Sequence, residues 1–124
     1  MTLNAKQFHM HMYHGTSKDN AEYIKAQGLG PNSYVTTDRK LAGYYAGNHK
    51  EPRIVKLRVN PRKLLVDWNS FEEPVETETP REFDESKLDR GKSGKDWKNS
   101  LRQTGSAQYW GMIPSENVIE VQHP

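Results

Sequence analysis

The stretch from Asn69 to Gly105 decides how this chain can fold, because it offers almost nothing to a core. Aliphatic side chains are sparse there, proline and charge dominate, and hydrophobic periodicity is poor. A core must come from the segments on either side. In a chain of 124 residues with 33% hydrophobic content, that core is lean. One domain over 1–124 is expected, with 69–104 as a long charged loop or insertion. A loop of that length inside a small domain is functional or disordered.

The flanking segments are well punctuated. Residues 7–13 alternate as a short strand. "SKDNAEYIKAQGLG" follows as a helix, with Ser17 or Asp19 as N-cap and Gly28 placed to end it in a left-handed conformation. "YVTT" is a short β-type run, and "TDRKLAGYYAG" a second helix capped by Thr37 or Asp38 and stopped at Gly47. "RIVKLRVN" is the clearest strand: Val55, Leu57 and Val59 take the core face, and Ile54, Lys56 and Arg58 the other. "KLLVDW" is expected to be a further strand. Within the polar stretch, "KDWKNSLR" has the makings of one or two helical turns carrying Trp97 and Leu101. The tail predicts a strand from Ala107 to Met112, a turn over Pro114 to Asn117 and a closing strand from Val118 to Gln122. Helices come early and strands late, which is an α+β plan and not a doubly wound parallel one.

Charge is unevenly spread. From Asp67 to Asp89 there are nine acids and two bases, a net of -7, so the remainder carries +9. A basic body suits a phosphate-bearing ligand, a dinucleotide or a nucleic acid, and suits plain solubility equally well. The chain has no cysteine, no apolar leader at its start and no run of transmembrane length, so a cytoplasmic protein is expected.

"FHMHMYHGTS" holds three histidines, but strand alternation turns His14 away from His9 and His11. With no cysteine and no His-x-x-x-His pair, no metal is expected. "GKSGK" at Gly91 to Lys95 lacks the earlier glycine of a phosphate-binding loop, since Ser86 stands there.

Two stretches remain. "MYHGTS" closes a strand and leads into a helix; some twenty residues on, "YVTTDRKLAGYYA" reads strand, turn and helix with tyrosines at 34, 44 and 45. A glycine after the histidine lets backbone approach a ligand while the imidazole bonds a sugar hydroxyl. Two tyrosines eleven residues apart can stack on a flat heteroaromatic ring from both sides.

This arrangement resembles the ADP-ribosyltransferase superfamily, in its diphtheria-toxin-like and poly-ADP-ribose-polymerase-like branch with a His-Tyr-Glu signature. The resemblance covers residues 13–66 and 105–122. It implies a split β-sandwich of two small antiparallel sheets with NAD bound, as substrate, in the cleft between them. His14 would hold the adenosine-side ribose and the Gly15 backbone would meet the nicotinamide amide. Tyr34 and Tyr45 would sandwich the nicotinamide, Thr16 and Thr36 would complete the NAD site, and Tyr34 would also belong to the catalytic set. "IPSENVIEV" looks like the close of many members.

The third motif departs from the pattern. The family's catalytic glutamate falls about where Gln108 stands in "SAQYWGMIP". That glutamate orients the nicotinamide ribose and stabilises an oxocarbenium-like transition state; glutamine hydrogen-bonds but brings no negative charge. Three readings follow: Gln108 suffices for a single transfer, a loop carboxylate such as Glu72 or Glu73 swings in, or the chain does not catalyse. The leading expectation is a mono-ADP-ribosyltransferase acting on a macromolecular target, protein or nucleic acid, with the size of a bacterial or phage effector. The alternatives are a non-catalytic NAD- or partner-binding protein on the same scaffold, and an RNA 2′-phosphotransferase-like enzyme sharing the "HGTS" opening.

Overall fold

The computed structural model of the chain describes residues 9–68, 70 and 94–124. Most of the charged 69–104 stretch, including Glu72 and Glu73, lies outside the described residues. In chain order the elements are β1 (Met10–Ser17), α1 (Lys18–Gln27), β2 (Tyr34–Thr36), α2 (Arg39–Ala46), β3 (Pro52–Val59), β4 (Leu64–Val66), α3 (Trp97–Thr104), β5 (Ser106–Tyr109) and β6 (Val118–Gln122). This is an α+β arrangement, and no helix among the described residues is long and apolar enough to cross a membrane.

Local chemistry sets the boundaries. Ser17 caps α1 by accepting the Asn20 N–H at 3.2 Å, and Gly28 ends it at φ 89°, its N–H donating to the Ile24 carbonyl at 2.7 Å. Asp38, not Thr37, caps α2, accepting the Lys40 N–H at 3.0 Å. Gly47 stops α2 in a right-handed conformation, at φ -61°. α3 realises the helix read from "KDWKNSLR" and closes on Gly105 at φ 84°. β1 runs four residues further than the alternation suggested, so His14, Gly15 and Thr16 are strand residues.

The six strands form one antiparallel sheet in the order β4-β5-β2-β1-β3-β6. One face carries the core: Met12, Val35, Val55, Leu57, Val59, Leu64, Ala107 and Tyr109 bury against Ala21 and Ile24 of α1, with Trp97 and Leu101 of α3 packed beside them. α2 covers part of the opposite face. That explains Ile54, which alternation puts with Lys56 and Arg58 but which is 1% exposed. Lys56 stays half-exposed opposite Glu120 of β6, a favourable cross-strand charge pair.

The two small sheets that the family resemblance implies are joined here into one by hydrogen bonding, but only just. β1 pairs with β3 through eight residues, from Met10↔Val59 to Ser17↔Pro52. With β2 it pairs through one, Tyr13↔Thr36. β2 is three residues long and turns away at Tyr34, so the halves β4-β5-β2 and β1-β3-β6 are linked by a single rung.

Leu57 is fully buried in the centre of the longest strand pairing, whereas Ile119 on β6 is 38% exposed. Leu57→Ala is expected to lower the unfolding free energy by about 3 kcal/mol. Ile119→Ala should cost under about 0.5 kcal/mol, both read from urea denaturation.

Candidate functional site

The site lies where the missing rungs would be. Extending the Tyr13↔Thr36 register by two residues sets Gly15 opposite Tyr34. The backbones do not meet there, and two side chains take their place. The Tyr34 phenol accepts the Gly15 N–H at 2.7 Å and donates to the Gly15 carbonyl at 3.0 Å. The His14 imidazole reaches back through Nδ1 to the Tyr34 carbonyl at 2.8 Å. Backbone groups that a continuous sheet would pair are thereby satisfied by a phenol and an imidazole.

Glycine is required at 15 for a separate reason. α2 crosses β1 so closely that a Cβ there would sit 1.9 Å from the Ala42 carbonyl oxygen and 2.8 Å from the Ala46 nitrogen. Both neighbours are backbone, so neither yields cheaply.

Three rings gather over this glycine. Tyr34 packs against His14 with centroids 4.4 Å apart at 36°, and against Tyr45 of α2 at 4.2 Å and 39°. A carbonyl only accepts, so neutral His14 carries its proton on Nδ1, and Nε2 remains an acceptor. Burial holds the imidazole below its ordinary 6.5; the bond to Tyr34 opposes that shift and the nearby His49 reinforces it. Burial also pushes the Tyr34 phenol well up; the Gly15 bond opposes this, and Tyr45 and Asp67 add to it. Both groups are neutral at pH 7.

Of the residues the sequence singled out, His14, Gly15, Tyr34 and Tyr45 come together. Tyr34 and Tyr45 stack on each other and leave no gap, since a ring between them needs roughly 7 Å, two contact distances. Thr16 and Thr36 are buried and used by the fold. Thr16 accepts from the Asn20 amide at 2.7 Å; Thr36 donates to the Gly105 carbonyl and accepts the Asp38 N–H at 2.9 Å. Gln108 pairs directly with Tyr34 across the β2–β5 ladder, but its amide donates to the Asn32 carbonyl at 3.0 Å.

One group escaped the sequence reading. Asp67, 4% exposed, accepts from the hydroxyls of Ser106 at 2.7 Å and Ser70 at 2.9 Å, and from the Ser70 N–H at 3.4 Å. Ser70 in turn lies 3.4 Å from the Tyr45 hydroxyl. A signal was present in "VDWNS", where an acid directly follows a buried strand, but the count of acids through Asp89 absorbed it. A groove of about 740 Å³ on the outer flank of α2, lined by Arg39, Lys40, Tyr44 and Ile54, contains none of the stacked rings.

No protein-family model matches the chain, and no curated protein matches it either.

Tyr34→Phe leaves the Gly15 N–H and carbonyl without their partner and is expected to cost about 2 kcal/mol in urea denaturation. Tyr44→Phe, on the exposed side of α2, should cost close to nothing. His14 predicts a pH dependence of stability. Its folded pKa lies below the unfolded 6.5, so the unfolded chain takes up the proton more readily as pH falls. Stability should be level above about pH 7.5 and decline below 6.5, and His14→Gln should flatten the decline.

Proposed function

We propose that this chain is a mono-ADP-ribosyltransferase that uses NAD as substrate and modifies a macromolecule in the cytoplasm. The observation that carries the reading is the Tyr34 phenol on Gly15. A planar ring, flanked by other rings, there presents one donor and one acceptor to a backbone N–H and carbonyl. An aromatic carboxamide offers the same pair of bonds on the same flat frame. Tyr34 is thus an internal stand-in for nicotinamide, and it must swing aside for the substrate to enter.

The residues then have definite tasks. Gly15 meets the carboxamide, Tyr45 stacks on the ring, and displaced Tyr34 covers its other side. His14 accepts a ribose hydroxyl at Nε2, a role that needs the neutral imidazole its burial favours. NAD supplies a weak N-glycosidic bond, whose electron pair leaves on the nicotinamide nitrogen while an acceptor lone pair replaces it at the anomeric carbon. The acceptor's proton passes to solvent. The acceptor is a protein or a nucleic acid, and the +9 charge outside Asp67–Asp89 favours the latter.

Gln108 supports a second reading, a protein that binds NAD without cleaving it, because its amide is neutral and turned to Asn32. Nicotinamide release separates the two. With NAD and a bacterial lysate, the parent is expected to release nicotinamide, and His14→Ala to slow this about a hundredfold by loss of positioning. Saturable NAD binding without release would favour the second reading. Absence of NAD binding in calorimetry would remove both.

A further inference from the structure

The transferase reading leaves a deficit of negative charge, since Gln108 stands where a carboxylate is wanted. Asp67 is a buried carboxylate that accepts from neutral donors: the Ser106 and Ser70 hydroxyls and the Ser70 N–H. No cationic side chain among the described residues pairs with it. Its position in the sheet is close to the aromatic group. Continuing the β4–β5 register sets Asp67 opposite Ser106, which pairs with Thr36, which pairs with Tyr13. Two residues along the same strands, past the core-facing row of Val66, Ala107 and Val35, come Leu65, Gln108 and Tyr34, with Gly15 opposite Tyr34 where the pairing is missing. Asp67 therefore sits on the same sheet face as Tyr34, two residues along and two strands across. Through Ser70 it also reaches the hydroxyl of Tyr45.

We propose that Asp67 is the positioning residue that supplies the missing negative charge: with Ser70 it fixes Tyr45, and its field makes the slot selective for a cationic aromatic ring. This rests on the transferase reading and deepens it. The nicotinamide ring of NAD is a cation, and positive charge moves to the ribose as the glycosidic bond breaks. A fixed anion a short distance away, poorly screened because it is buried, favours both. The direction of its influence is visible in Tyr34, whose ionisation Asp67 opposes.

A merely structural Asp67 would cap the turn at Ser70, and asparagine caps equally well. Asp67→Asn therefore removes the charge while keeping the cap. The measurement is calorimetric affinity for two probes, neutral nicotinamide and the N1-methylnicotinamide cation, in parent, Asp67→Asn and Ser70→Ala proteins. The parent is expected to prefer the cation roughly tenfold. Asp67→Asn should abolish the preference with neutral nicotinamide affinity unchanged, and Ser70→Ala should weaken both probes while keeping the preference. Where the parent turns over NAD, Asp67→Asn should lower kcat with little change in KM. Equal affinity of the parent for the two probes overturns the proposal without recourse to any variant. A preference retained in Asp67→Asn overturns the charge role alone and leaves the slot standing. Failure of the parent to bind either probe overturns the transferase reading, and this proposal with it.

Discussion

The structure turns on one phenol. Tyr34 stands where β1 and β2 part, and its hydroxyl occupies both hydrogen-bonding groups of Gly15 that a continuous sheet would have used. Without it, an N–H and a carbonyl beneath α2 would face a half-buried gap unpaired, at a cost comparable with a sizeable share of a small domain's stability. The same parting that creates this need creates the site. Strands that stay paired leave no backbone polar groups for a ligand, and strands that part must offer theirs to something.

α2 makes the offer specific. Its backbone touches β1 so closely at Ala42 that only glycine fits opposite, and its Tyr45 brings the third ring to the gap. The helix covers the back of Gly15 while the exposed edge of the strand faces β2. Packing and recognition are thus one contact seen from two sides. The burial that stabilises α2 on Ile54 also lowers the local dielectric around His14 and Tyr34, keeping both neutral and their hydrogen-bonding roles defined.

Against this neutral setting the buried carboxylate of Asp67 stands out. Its hydroxyl partners satisfy its lone pairs without cancelling its charge, which is the condition under which a buried anion acts on its surroundings. Gln108, the residue at which a carboxylate was looked for, pairs with Tyr34 by register but spends its amide on Asn32. Sheet geometry brings an anion from β4 near a place where β5 offers none.

Much of the fold was legible in the sequence because it follows from local rules. Ser17, Gly28 and the alternation of Val55, Leu57 and Val59 reflect capping, backbone freedom and strand periodicity, all short-range. His14, Gly15, Tyr34 and Tyr45 could be named together because a strand–turn–helix pattern repeats around them. The tertiary structure alone decided the burial of Ile54 under α2, the single rung joining β1 to β2, the closure of Tyr34 onto Tyr45, and the placing of Asp67. Each of these depends on segments far apart in the chain being brought together, and periodicity along one segment carries no information about what will lie across from it.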